Sequence, residues 1–154
     1  MSRVIVLDSG PLSLVTHPQA NQIALACQSW LETRLMAGDI VAIPEIADYE
    51  VRRELLRANK RRGVAKLDAL IATAHYLPIT TAVMRHAAEL WAQARQVGRP
   101  TANDTALDGD MILAAQALLI SYLDGQAVDE VVIATTNIKH ISLFANAQLW
   151  QSIT

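Results

Sequence analysis

Val4-Ile5-Val6-Leu7-Asp8-Ser9-Gly10 decides the reading of this sequence. A short apolar run ends in a carboxylate, followed by a small hydroxyl residue and a glycine. A run bounded so sharply reads as a buried parallel strand with Asp8 at its carboxyl end. In open α/β sheets, ligand crevices lie outside that end of the strands. Asp8 is then a seat for a cation or a nucleophile, or else it caps the following turn, a position that Asp and Ser favour. Taken alone, it fits both.

Working outward, the same pattern returns. Ile40-Val41-Ala42-Ile43 and Val131-Val132-Ile133-Ala134 are further buried strands, Tyr76-Leu77-Pro78 is a brief one at an edge, and the stretch through Leu149-Trp150 adds a last one. Helical spacing fills the intervals. Pro18 opens a helix to about Ala37 with Ile23, Cys27, Trp30, Leu31 and Leu35 inward, and Gly38 ends it. Pro44 starts another through about Ala58, with Ala47, Val51, Leu55 and Ala58 inward. A basic turn at residues 59–63 precedes a helix that buries Val64, Leu67, Ile71 and Ala74. Thr80 or Thr81 caps the next, which buries Val83, Ala87, Leu90, Trp91 and Ala94 and ends at Gly98. Residues 99–109 read as a loop carrying Asp104 and Asp108. Met111–Leu123 is apolar almost all round, a helix packed on both sides and stopped by Asp124-Gly125. Strands alternating with helices predict an α/β fold, a central, mostly parallel sheet flanked by helices in three α/β/α layers.

The 154 residues suit a single domain, 1–154, with a real core, and 52% hydrophobic residues argue against disorder. No apolar run reaches the length of a membrane span, and the start has no secretory pattern. Cys27 is the lone cysteine, which excludes an internal disulfide and favours a cytoplasmic location. The net charge of −2 is uninformative, but seven of the thirteen Lys and Arg residues fall between positions 52 and 66.

Three acids fall where the layout brings segments together. Asp8 ends the first strand. Glu50 sits at the margin of its helix's buried stripe rather than at the centre of the solvent face. Asp110 lies in the expected first turn of the most buried helix, just after Asp108, where the helix dipole should keep it ionised. Each has an ordinary structural explanation: an i,i+4-type pair of Glu50 with Arg53 or Arg57, an N-cap at Asp108, a dipole partner at Asp110. Their joint placement favours a site. Carboxylates converging on one crevice repel unless a cation holds them, and oxygen ligands suit Mg²⁺ or Mn²⁺, as one or two ions. Two such ions about 4 Å apart activate a water and stabilise the leaving oxygen in phosphodiester cleavage.

Four stretches, VIVLDSGPL, IPEIADYEVRREL, LDGDMILAAQAL and VVIATTNIKHI, resemble the PIN domain, the small nuclease fold of VapC-type toxins. They run from residue 4 to 141, nearly the whole chain. The resemblance implies a PIN-like fold, a metal-dependent endoribonuclease, a cognate antitoxin that blocks the site, and a homodimer. It matches Asp8, Glu50 and Asp110 to the family's catalytic, metal-binding acids. Where members often carry a fourth acid, this chain has Asn137, with His140 three residues on. Asp108 is at hand as a further metal ligand, and Asp104 likewise. Asn137 can orient a water or phosphate through its amide, and Thr135 or Thr136 can hydrogen-bond the metal-binding carboxylates.

Arg52, Arg53, Arg57, Lys60, Arg61 and Arg62, with Lys66 beyond them, form a basic strip on and after the Glu50 helix. It is either a solvated face or a track for an RNA or DNA backbone. Few aromatics are available, so stacking readout of single-stranded bases is not supported. The four histidines make no zinc spacing. Two functions follow: a Mg/Mn-dependent ribonuclease acting on an RNA substrate, or a catalytically weak or inactive nucleic-acid- or protein-binding module on the same fold, which Asn137 favours. A phosphotransfer enzyme with Asp8 as nucleophile requires a second acid two residues on, where Gly10 stands.

Overall fold

Along β1 (Arg3–Leu7), Val4 and Val6 face one way and Ile5 and Leu7 the other, and all four are fully buried. A strand buried on both faces needs helices on each side. The computed structural model supplies them; it describes residues 2–19, 21–97, 104–123 and 125–154, with 104–107 by backbone alone. The chain continues through α1 (Ser9–Val15), α2 (Gln22–Met36), β2 (Ile40–Pro44), α3 (Glu45–Arg57), α4 (Arg61–Thr73), β3 (His75–Leu77), α5 (Thr81–Gln96), α6 (Asp104–Leu118), β4 (Tyr122–Leu123), β5 (Gln126–Ala127), β6 (Glu130–Thr135) and β7 (Ala147–Leu149). Five strands form one sheet in the order β3-β2-β1-β6-β7, every pair parallel.

Helices α5 and α6 cover the face of Val4 and Val6, packing Val83, Ala87, Leu90, Met111 and Ala114 on them. Leu12 of α1, Cys27 and Leu31 of α2, Val51 of α3 and Leu67 of α4 cover the face of Ile5 and Leu7. The three-layer α/β/α arrangement expected from the alternation is the one found. Strand order reverses at β1, between β2 and β6, so the carboxyl ends of β1 and β6 open a crevice at this switch point.

Several boundaries differ from the sequence reading. Helix α2 begins not at Pro18 but at Gln22, because Asn21 caps it by accepting from Ala24 N at 2.8 Å. Ile23, Leu35 and Trp91, expected inside, are 51%, 49% and 39% exposed, at the margins of stripes narrower than their periodicity suggested. Ala58 is also exposed, as the C-cap of α3. Arg61, Arg62 and Gly63 belong to α4 and not to the preceding turn. Helix α6 starts at Asp104 and ends at Leu118, not Met111 to Leu123. Tyr122–Leu123 instead pairs antiparallel with Gln126–Ala127, since an apolar run alone cannot separate a helix from a short strand pair. Trp150 falls in a 3₁₀ turn after β7. Gly98, 99–103 and Asp124 lie outside the described residues.

One buried polar side chain fixes how α6 meets α3. Gln116, 3% exposed, accepts through Oε1 from Ile46 N at 3.3 Å and donates through Nε2 to Leu77 O at 2.6 Å. It satisfies an orphan N–H in the first turn of α3 and a carbonyl at the end of β3. Gln116→Leu strands both groups and lowers stability by about 2–3 kcal/mol, read as a lower midpoint in urea.

Candidate active site

Asp8 occupies the position immediately after β1 and caps α1. Its Oδ1 accepts from Ser9 N at 2.7 Å, so the capping explanation holds. Its other oxygen is what distinguishes it. Asp8 Oδ2 accepts from Thr135 Oγ1 at 2.7 Å across the β1–β6 boundary, and Asp8 N donates to Ala134 O at 3.0 Å. The cap and the switch point together hold one carboxylate in a fixed orientation. Thr135, 1% exposed, is itself fixed: its Oγ1 lies 3.1 Å from Asn137 N, which donates to it. Thr135→Val removes the bond to Asp8 and strands Asn137 N. If Asp8 holds a metal, this costs about 10–100-fold in metal affinity or activity, the usual effect of losing a group that orients a ligand, and a metal titration measures it.

Glu50 and Asp110 reach the same crevice from the two layers. Glu50, on α3, is half-buried, and its Oε2 lies against α6 where a Cβ on Gly109 would sit only 3.4 Å away. A Cβ there would make ordinary van der Waals contact, so the Glu50 carboxylate lies close against α6 next to Asp110. Burial, then Asp8, push the Glu50 pKa above the usual range; Arg53 pulls it back and Asp110 pushes it further up. Burial and then Asp8 raise Asp110 to about 6, while His140 opposes them. The three acids therefore feel one another's charge. The expectation that Asp110 sits in the first helical turn does not hold, and its pKa moves up rather than down as a helix N-terminus would move it. The helix starts six residues earlier, so Asp110 is in its second turn, beyond the reach of the N-terminal field.

Other expected groups stand apart. Asp108 is exposed; two residues before Asp110, it projects to a different side of α6. The side chain of Asp104 lies outside the described residues. Asn137 is exposed, and its Oδ1 accepts from Lys139 N at 3.1 Å in a local turn. Thr136 packs against α1 rather than reaching the acids: a Cβ on Gly10 would meet Thr136 Cγ2 at 2.7 Å, so only glycine lets α1 and the end of β6 come this close. His140 is half-buried beside Asp110. Among the described residues, no three His, Cys, Asp or Glu side chains already stand in a ligating cluster.

A groove of about 620 Å³ opens beside Glu50, between α1 with the residues after it and α3. Arg53, Arg57 and Lys60 line it, opposite Ser9, Ser13 and His17. Arg57 is paired with Glu54 at 2.9 Å, both exposed, and Arg53 lies 5.1 Å over the Tyr49 ring. Arg52 has another partner set. It bonds Asp48 and Asp68 at 3.0 and 2.8 Å, tying α3 to α4 on a side away from the groove lining. Arg61 and Arg62 are exposed at the head of α4, in a smaller hollow with Pro18, Gln19 and Lys60. Lys66 donates to His17 O at 2.9 Å. The neutral wall was not anticipated from sequence; Ser9 and Ser13, one turn apart immediately after Asp8, were its signal. Among the described residues, no helix is long and apolar enough to cross a membrane.

No family model and no curated protein matches the sequence. Solved structures do match. The crystal structure of VapBC2 from Rickettsia felis bound to a DNA fragment from their promoter contains a similar chain at 16% identity and a TM-score of 0.71, covering 96% of this chain and 98% of that one. FitAcB from Neisseria gonorrhoeae matches at 20% identity and 0.66, and VapBC-1 from nontypeable Haemophilus influenzae at 15% and 0.63, each covering 97% of this chain and 99% of the other. The PIN-like fold implied by the four sequence stretches is the fold found.

Proposed function

We propose that this PIN-fold chain is a metal-dependent endoribonuclease, the toxin of a toxin–antitoxin pair. The observation that carries the reading is the convergence of Asp8, Glu50 and Asp110 from three separate elements at the switch point of the sheet. Mutual repulsion at this spot is costly for a merely structural cluster. The donor set is oxygen only and suits Mg²⁺ or Mn²⁺, which would be held by these three carboxylates. Such an ion supplies Lewis-acid chemistry at a phosphoryl oxygen and makes water acidic enough to attack at neutral pH. The protein's own groups do the rest: Thr135 and Ser9 N orient Asp8, Arg53 draws a phosphate toward Glu50, and the groove positions the strand. Likeness to chains of VapBC and FitAcB supports a cognate antitoxin as partner; the proposal further includes a cytoplasmic setting and a homodimer. The test is cleavage of a mixed RNA pool with Mg²⁺ or Mn²⁺ and with EDTA; cleavage confined to the metal-containing reactions is expected.

A second reading is a catalytically inactive binding module. Asn137 favours it, because its amide oxygen is taken up by Lys139 N and adds no charge to the acids. In that case RNA binding persists in EDTA and no metal produces cleavage.

A further inference from the structure

The groove beside the acids has two unlike walls. Arg53 and Arg57 stand at i and i+4 on one face of α3, a step of about 6 Å, and Lys60 follows in the turn beyond the C-cap of the helix. The acids on this wall are Glu50, which belongs to the site, and Glu54, which is paired with Arg57. The opposite wall carries no carboxylate: Ser9 and Ser13 lie one turn apart on α1, and His17 follows its C-terminal end. Ser13 is exposed, and its hydroxyl makes no hydrogen bond among the described residues. The His17 ring is fixed on its Nδ1 side by the Gln19 backbone, whose N–H lies 3.0 Å away, and its Nε2 stays open among the described residues. Lys66 anchors the His17 carbonyl from α4, so this wall is held in place.

A single nucleic-acid strand has the same two-sidedness, with charged phosphates along one edge and sugars beside them. Phosphates laid along Arg53, Arg57 and Lys60 turn the sugar edge toward Ser13 and His17. A hydroxyl and an imidazole can each donate to or accept from a ribose 2′-OH, the group that separates RNA from DNA. A deoxyribose leaves both without a partner. The groove has the volume of a small-ligand site, room for a short stretch of a single strand.

We propose that Ser13 and His17 make this groove selective for single-stranded RNA over DNA by reading the ribose 2′-OH while α3 holds the phosphates. The proposal rests on the nuclease reading of the adjoining acids. It is tested by binding in EDTA, where no metal supports cleavage. The wild-type chain and Ser13→Ala, His17→Ala, the double variant and Arg53→Gln are titrated with one short labelled sequence made as single-stranded RNA and as single-stranded DNA. Wild type should prefer RNA on the order of 10-fold, two hydrogen bonds' worth. The double variant should bind RNA as weakly as DNA, with DNA binding and melting temperature unchanged, and each single variant should fall between. Arg53→Gln should weaken both strands alike and reduce the salt slope. Equal binding of RNA and DNA by wild type overturns the proposal. So do binding of neither strand, as when the groove serves a partner protein's peptide, and a double variant that keeps the preference or loses both strands together. Failure of the nuclease reading looks different: the RNA preference is present but no metal brings about cleavage.

Discussion

Asp8→Asn removes metal-dependent cleavage of RNA while leaving the fold in place. The substitution keeps the shape of the side chain. Its carbonyl oxygen still caps α1 through Ser9 N, as Asp8 Oδ1 does at 2.7 Å. Its amide N–H₂ stands where Oδ2 accepted from Thr135, and Thr135 can reverse roles, because its hydroxyl also has the Asn137 carbonyl at 3.2 Å as an alternative acceptor. Only the charge is lost. Losing a group that merely orients a metal ligand costs about 10–100-fold, so losing the charge of a ligand that bridges α1, β1 and β6 should cost more than about 100-fold. The comparison is cleavage rate against wild type in Mg²⁺ and Mn²⁺, with melting curves in EDTA to verify the fold. Undiminished cleavage by the variant sinks the three-acid site.

The metal-free protein responds to pH at Asp110 in the direction opposite to that of an ordinary salt-bridged acid. Asp110 is raised from 3.8 to about 6, so between these values the folded state holds more protons than the unfolded one. Stability from this group therefore falls as pH rises through about 4 to 6, and the full penalty is present above pH 6. Glu50, also raised, acts in the same sense. A two-unit shift corresponds to about 3 kcal/mol. Asp110 is only half-buried, and solvent screening leaves about 1 kcal/mol of it. Asp110→Asn should raise the melting temperature in EDTA at pH 7.5 by a few degrees and give no gain at pH 4. Mg²⁺ or Mn²⁺ should stabilise wild type at pH 7.5 and the variant much less. Identical pH profiles for the two proteins would falsify this account of the repulsion.

The strands were readable because a parallel strand buried on both faces leaves an unbroken apolar run, as in Val4–Leu7 and Val131–Ala134. Asp8 was readable for a related reason: a carboxylate ending such a run is where the sheet opens. Its two explanations proved compatible, one for each oxygen. The start of α6 was hidden because Asp108, Gly109 and Asp110 look like a loop; tertiary packing keeps them helical, and Gly109 lies against Glu50. Asn21 outweighed Pro18 as the start of α2 because a cap satisfies a donor and proline only removes one. The exposed Trp91 and Ile23 show that periodicity locates a stripe without fixing which of its margins is covered. The allotment of cations, Arg52 to Asp48 and Asp68 but Arg53 to the groove, depends on contacts between α3 and α4 that no spacing along α3 reveals. The neutral groove wall is long-range in the same way.

The bond between Asp8 and Thr135 spans 127 positions of the chain. On a ribosome adding about 5–20 residues per second, roughly 6–25 s separate the two residues. Through that interval β1 has no β6 beside it, α6 has yet to deliver Asp110 for much of the time, and Asp8 lacks the Thr135 hydroxyl that orients it. On the proposed nuclease reading, a nascent chain is therefore inert toward the messenger being translated. On that reading the topology itself sets the timing: the site is complete only when β6, the last strand beside β1, has emerged.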